Sequence, residues 1–350
     1  MALITSIETK KINLALKGQL SWGRTSNMDR LEHVLIKLST PHQHAITEAP
    51  ARPSIYGETP QSIKAIIKNH LAPKLIGLNV NDDKKIQAVF DSIANNHAAK
   101  AAIDIAIHIV RAKEQKQSLL EYMNAKQSHI RVSYILGINE PNIMIEEALK
   151  IYEQGVSVFK IKIGRDLKKD KTIIENLKYA FDNDVILYAD ANQMLKPKTA
   201  AKTLEQLAKL GISYIEEPLE VEKIKQRAKL KAEQILPIIA DDSCFRLKDL
   251  ERELDFDSFD ILNIKPARNG YSDSKLMIKL AHKAGKGIMI GSQASTSLGT
   301  YHSAILAADS RVSHPSELSF PLKLKAKSDY KYKDGVLAIK DLKQLHFKKF

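Results

Sequence analysis

DANQMLKPKTAAKTLEQLAKLGISYIEEPLEVEKIKQRAKLKAEQILPIIADDSCFRLKDLERELDFDSFDILNIK, residues 190–265, decides how the chain is read. Within it and just before it, short runs rich in Val, Ile, Leu, Phe or Tyr stand at 156–164, 185–192, 212–218, 237–241 and 259–266. Each run breaks at a polar, Pro or Gly position, as a buried strand does. Each also carries charge at its far end: Lys160 and Lys162, then Asp190, Glu216, Asp241 and Lys265. The tips recur at intervals of 24 to 28 residues, which is room for one strand, one helix and two short loops.

Working outward, the same rhythm starts near Ile130. A strand-like run at 131–137 precedes a helical pattern at 143–154, and further helices are expected at 171–181, 199–210, 221–234, 248–254, 274–283 and 299–308. A seventh apolar run lies at 287–291 and a poorer eighth at 312–318. Strands alternating with helices and no antiparallel signal predict a parallel sheet, and this many repeats predicts closure into a barrel. A doubly wound open sheet is the runner-up, but no Gly-rich phosphate fingerprint follows the first strand of the series.

The N-terminal part follows different rules. Residues 4–16 and 32–39 alternate like two paired strands around a polar loop, 21–27, that holds the only tryptophan, Trp22. The stretch 50–60 is rich in Pro and Gly, and Tyr56 in it would suit a loop folding over a pocket. Helices are expected at 61–70, 83–93 and 98–116, the last packing one apolar face, His108 included, into a core. At 350 residues the chain calls for a large barrel with an accessory domain, or two domains. Its 44% hydrophobic and 27% charged residues suit a soluble globular protein, and a single cysteine, Cys244, excludes an internal disulfide framework and suits a reducing, cytoplasmic compartment. No uninterrupted apolar run of membrane-spanning length is present, and the N-terminus reads as a strand, not a signal peptide. The formal charge of +13 comes from lysines dispersed over helix faces, dense only in the tail 343–350. Without interleaved aromatics they do not describe a nucleic-acid groove.

In a barrel of eight strands, chemistry sits at the strands' C-terminal ends, where these tips lie. Lys160 and Lys162 are two apart on the second strand and point the same way, while Lys265 on the sixth faces them across the mouth. Asp190, Glu216 and Asp241 fill the strands between. Three carboxylates with no His or Cys make an oxygen-only site, which favours Mg²⁺ or Mn²⁺ over zinc. Two ammonium groups side by side disfavour each other's charge, which lowers at least one pKa and makes a base. One base on each face of a metal-held substrate is what removal and return of a proton next to a carboxylate requires. Taken singly, the Lys-Ile-Lys run, Glu216-Glu217-Pro218, Asp241-Asp242-Ser243 and Lys265 have ordinary readings as surface charge, turn or helix approach. Their joint order on consecutive strands does not.

The segments FKIKIG, LYADANQ, YIEEPL, IADDSCF and NIKPARNG, with these residues in them, resemble the enolase superfamily, in particular its muconate-lactonizing-enzyme subgroup. The resemblance implies an α/β fold: a modified TIM (β/α) barrel at 126–320, an α+β capping domain at 1–125, and a C-terminal segment, 321–350, returning to the cap. It implies Mg²⁺ held by Asp190, Glu216 and Asp241, acid/base roles for Lys162 and Lys265, and Lys160 tuning Lys162 and touching the substrate carboxylate. Asn192, Ser292, Ser295, Glu317 and Tyr56 are the candidate substrate contacts. Where dipeptide epimerases of this kind carry Asp-x-Asp near the eighth strand, this chain has Glu317-Leu318-Ser319, and Asp242 stands where relatives often have Glu. The expected activity is an isomerase acting on a small-molecule carboxylate, first a racemase or epimerase of a dipeptide or N-acylated amino acid. An o-succinylbenzoate-synthase-like dehydratase or muconate-type cycloisomerase is the alternative. Outside enzymes, the alternatives are a silent binding protein or a nucleic-acid binder using the basic tail. Homo-oligomers are expected from the resemblance, with no nucleic acid and no membrane as partners.

Overall fold

The computed structural model describes residues 2–342 apart from 23–25, 183, 327 and 329. The basic tail and the tip of the loop 21–27 thus lie outside the described residues. The chain opens with an antiparallel sheet of β1 (Ser6–Trp22), β2 (Ser26–Ser39) and β3 (His44–Pro50), in that spatial order. Val34, Ile36 and Leu38 of β2 alternate inward and are fully buried. The helix His97–Glu114 lies on them. Its inward positions include Ala98, Ala99, Ala102 and Ala106, small enough to bring helix and sheet so close that Thr47 Oγ1 donates to the Ala102 carbonyl at 2.9 Å. The expected hairpin is therefore longer than its alternating runs and has a third strand. β3 escaped the pattern because its buried positions are Ala45, Thr47, Glu48, Ala49 and Pro50, not large apolar residues.

Seven parallel strands follow in chain order: β4 (Tyr134–Leu136), β5 (Val158–Lys162), β6 (Ile186–Asp190), β7 (Ile212–Glu216), β8 (Ile238–Ala240), β9 (Ile261–Ile264) and β10 (Gly287–Ile290). The ring's eighth position, expected as a strand at 312–318, is an extended segment instead. Pro315 lacks the N–H that a ladder needs. The segment still closes the ring, since Glu317 N donates to Ile290 O (2.8 Å) on one side while Ser316 N donates to Arg131 O (2.9 Å) and Ser316 O accepts from Ser133 N (2.9 Å) on the other. The run expected at 131–137 splits here: His129–Arg131 leaves the barrel and pairs with Val336–Ala338, which pairs with Tyr332–Lys333. The C-terminal segment touches the cap at Leu324 and Lys325, whose N–H donates to Ala15 O (3.0 Å), before running on to that small sheet. Among the described residues, no helix is long and apolar enough to cross a membrane.

Candidate active site

Strand register brings the charged tips level. Lys162 lies beside Asp190, and Asp190 beside Glu216, in adjacent parallel strands; Asp241 and Lys265 follow the last residues of β8 and β9. Lys162 Nζ is 2.5 Å from Asp190 Oδ2. Lys160 Nζ is buried among three carboxylates, at 2.7 Å from Glu216 Oε1, 2.7 Å from Glu317 Oε1 and 3.1 Å from Asp190 Oδ2. Across the ring Lys265 Nζ pairs with Asp241 Oδ2. Lys160, Lys162, Asp190 and Glu216 thus form one connected cluster at the barrel mouth, and Lys265 with Asp241 a second one beside it.

The electrostatics follow from burial plus this crowding. Burial alone would push the Asp190 and Asp241 carboxyls up, but Lys160 and Lys162 beside the first, and Lys265 and Arg268 beside the second, hold both well below the usual carboxylate range. Glu216 goes the other way: burial raises it well above its ordinary value, and Asp190, Asp241 and Glu317 add to the rise against Lys160. Of the two neighbouring ammonium groups, Lys160 is not the one lowered. Despite burial it is raised well above its ordinary value, because Asp190, Glu216 and Glu317 surround it. Lys265 is likewise raised despite burial, through Asp241.

The donor set fits a hard divalent cation. Asp190, Glu216 and Asp241 offer only oxygens, and their mutual repulsion shows in Glu216; Asp241 Oδ1 makes no aligned hydrogen bond, though Arg268 Nη2 lies 3.1 Å from it. Among the described residues these carboxylates do not converge on one centre, because each is drawn toward a lysine.

The supporting backbone is unusual where it meets the site. Asn192, Gln193, Glu217 and Ala294, none of them glycine, have φ of 40°, 67°, 39° and 54°, conformations that persist only when surroundings fix them. Asn192 N donates to Asp190 Oδ1 at 2.8 Å. Glu217 turns away from the mouth, and its Oε1 accepts from Asp241 N (2.6 Å), Ser243 N (2.8 Å) and Ser243 Oγ (2.6 Å), lacing the end of β7 to that of β8. Arg268, 3% exposed, donates to the Asp241 carbonyl at 2.8 Å and stacks on Phe245 at 4.3 Å. Glu217, Arg268 and Asn263, whose Nδ2 reaches Glu216 Oε2 at 3.4 Å, carried no pattern that the strand rhythm could pick out.

A cavity of about 240 Å³ lies over the lysines. Of the candidate substrate contacts, Asn192, Ser292 and Glu317 line it; Ser295 and Tyr56 do not. Ser295 is buried behind the wall, and the Tyr56 ring packs edge-on against Phe245 at 5.8 Å. From the stretch 50–60 the wall takes Arg52, Ser54 and Ile55 instead. Leu20, Trp22, Met28, Ile55, Ile135 and Phe320 make its apolar part, so cap and barrel both contribute.

Comparison with known proteins agrees with this geometry. Residues 144–343 match the family described as enolase C-terminal domain-like, and residues 26–123 the mandelate racemase / muconate lactonizing enzyme N-terminal domain. The chain is 29% identical over 313 residues to an L-amino acid-D/L-Glu epimerase of Francisella philomiragia, covering 88% of this chain and 87% of that one. It is also 29% identical over 331 residues to an N-succinyl-L-Arg/Lys racemase of Bacillus cereus, covering 91% and 88%. The dipeptide epimerase from Cytophaga hutchinsonii, solved with Mg and the dipeptide D-Ala-L-Val, superposes with a TM-score of 0.89 at 25% identity, covering 96% and 93%. With both halves matched and the lysine and carboxylate tips in register, the chain belongs to the mandelate racemase / muconate lactonizing enzyme family and is an enolase-superfamily isomerase.

Proposed function

We propose that this protein is a Mg²⁺-dependent racemase or epimerase that removes and returns the proton α to a carboxylate, on an N-acylated amino acid or dipeptide. The observation that carries the reading is the placement of Lys162 on β5 and Lys265 after β9, on opposite sides of the ring, with Asp190, Glu216 and Asp241 on the three strands between. Asp190, Glu216 and Asp241 would hold the metal, which when bound neutralises charge on the substrate carboxylate as the enediolate develops. Lys160, fixed and charged, sets the electrostatics next to Lys162 and offers its ammonium to the same carboxylate. Lys162 takes the α-proton from one face, and Lys265 delivers one to the other; the reverse reaction exchanges the roles. The apolar cavity wall keeps water from the carbanionic carbon. Glu317, the one carboxylate near the eighth position, is already engaged by Lys160 and by Ser292 N (2.7 Å). That favours an acylated nitrogen over a free α-ammonium.

The test is α-proton exchange in D₂O with Mg²⁺, read by mass spectrometry over N-acylamino acids and dipeptides of both configurations. Lys162→Ala should abolish exchange from one enantiomer and Lys265→Ala from the other, each by at least about 100-fold, the usual scale for a lost general base. If both variants exchange both enantiomers like the wild type, the two-base reading fails. If only dehydration or lactonisation substrates turn over, the chain is the elimination or cycloisomerising kind.

A further inference from the structure

Of the four basic side chains lining the cavity, three are paired directly with carboxylates: Lys160, Lys162 and Lys265. Arg52 differs. It is 4% exposed, and its hydrogen bonds run to neutral acceptors: Nη1 to Ala51 O (2.6 Å), and Nη2 to Gln293 O (2.5 Å), Ala294 O (2.9 Å) and His33 Nε2 (3.1 Å). Of the carboxylates nearby, Glu48 sits behind the His33 ring, 3.4 Å from Nδ1, and spends its oxygens on His33 and Thr296, while Glu58, bridged to Arg52 through the backbone, accepts from Ala98 N and Ala99 N. Burying a guanidinium costs free energy unless an anion or a full set of acceptors compensates it. Among the described residues no hydrogen bond engages Arg52 Nε. The neighbours hold the fork rigidly in the cavity wall and leave donor capacity unused, which is how a protein presents a cation to an anionic ligand.

Its position gives the ligand a direction. Arg52 is bonded to the loop following β10, the seventh position of the ring, and the site opposite in a ring of eight is β6, which carries Asp190. A substrate whose reacting carboxylate lies at Asp190, Glu216 and Asp241 therefore has its far end at Arg52, with Ile135 and Phe320 among the apolar side chains of the wall it shares. We propose that Arg52 reads a second carboxylate on the substrate, remote from the carbon that exchanges its proton, and so selects dicarboxylates. This inference rests on the racemase reading and specifies its substrate class. The second carboxylate can stand on the amino-acid side chain or on the acyl group; the chemistry at Arg52 is the same.

Two isosteric pairs separate these sources: N-acetylglutamate against N-acetylglutamine, and N-succinylalanine against its terminal amide. In wild-type enzyme the acid of at least one pair should exchange its α-proton with a kcat/KM about tenfold or more above its amide, the scale of a charge-assisted hydrogen bond. In Arg52→Met that acid-to-amide ratio should collapse to near one, with the loss carried by KM. Equal rates for acid and amide in both wild-type pairs overturn the proposal without any variant. So does a ratio that survives in Arg52→Met, or a loss shared equally by acid and amide, which would make Arg52 only a clamp on the loop 293–294. If none of the four compounds exchanges, the racemase reading stands or falls on its own wider panel of N-acylamino acids and dipeptides. Calorimetric binding of N-acetylglutamate against N-acetylglutamine to wild type and Arg52→Met still decides Arg52: an acid preference lost in the variant supports it, and equal binding sinks it.

Discussion

Glu216 and Glu217 are chain neighbours that do different work, because a positive φ at Glu217 turns the second side chain out of the ring. Glu216 points to Lys160, while Glu217 accepts three hydrogen bonds that fix the backbone carrying Asp241. Burial, with Asp242 nearby, pushes the Glu217 carboxyl up to about 7. An acceptor held there for geometry need not stay ionised. In Glu217→Ala the buried Asp241 N, Ser243 N and Ser243 Oγ lose their acceptor, at a cost of about 3 kcal/mol in urea unfolding. Mg²⁺ affinity by calorimetry should fall at least about tenfold through displacement of Asp241. Glu217→Gln, which keeps one acceptor oxygen, should lie between. An alanine variant with unchanged stability and metal affinity would show that Asp241 is fixed by Arg268 alone. The sequence displayed the Glu-Glu pair, and strand alternation assigned the first to the site. It could not show the turn in the backbone that gives the second its task.

At the scale of elements, the helix Pro266–Lys283 shows both what pattern reading catches and where it stops. Its regular half was expected at 274–283. The first half carries Pro266 and Asn269-Gly270, which read locally as a turn. The helix does break, at Gly270 with φ 65° and ψ −171°. The break is closed by a residue from another domain: Asp104 of the helix His97–Glu114 accepts from Tyr271 N (2.6 Å), Ser272 N (3.0 Å) and Ser272 Oγ (2.6 Å). No window of local sequence contains both partners. The same limit explains β3 and the eighth ring position, where small or polar residues and a proline blur periodicity while long-range hydrogen bonds supply the order. A methyl at Gly270 would lie 2.5 Å from Asp104 Oδ2 in a backbone region L-residues avoid. Gly270→Ala should therefore destabilise by about 3 kcal/mol, combining backbone strain with a displaced cap. A change under about 0.5 kcal/mol in denaturant unfolding would mean the cap adjusts freely.

Across the whole molecule, cap and barrel meet through apolar contacts, such as Leu16 and Leu31 with Phe320 and Leu324, and through buried polar groups. Asp104 caps a barrel helix, Glu48 accepts from Thr296 N at 2.9 Å at the start of the helix Ser297–Ala307, and Arg52 grips the loop between. The cavity depends on this docking, since its walls come from both parts. Four histidines at the junction, His33, His97, His108 and His302, are pushed down by burial and make it sensitive to acid. Burial pushes the His302 ring down to about 4 against the pull of Glu48, and burial with Lys100, Arg246 and Arg268 nearby does the same to His97, which packs on Phe245 at 5.1 Å. Each is depressed in the folded state relative to an ordinary imidazole, so between pH 6.5 and 4 the unfolded chain binds more protons than the folded one. Their stabilisation is complete above pH 6.5 and is lost as pH falls toward 4, with no further loss from these groups below that. For His302 the drop across that window is about 3 kcal/mol; His97, partly reached by solvent, adds less. Thermal unfolding of wild type from pH 7.5 to 4 should show Tm falling through this range, and His302→Gln should flatten the slope. A wild-type Tm that holds steady between pH 6.5 and 4.5, or a slope unchanged in the variant, would place the acid-sensitive groups elsewhere.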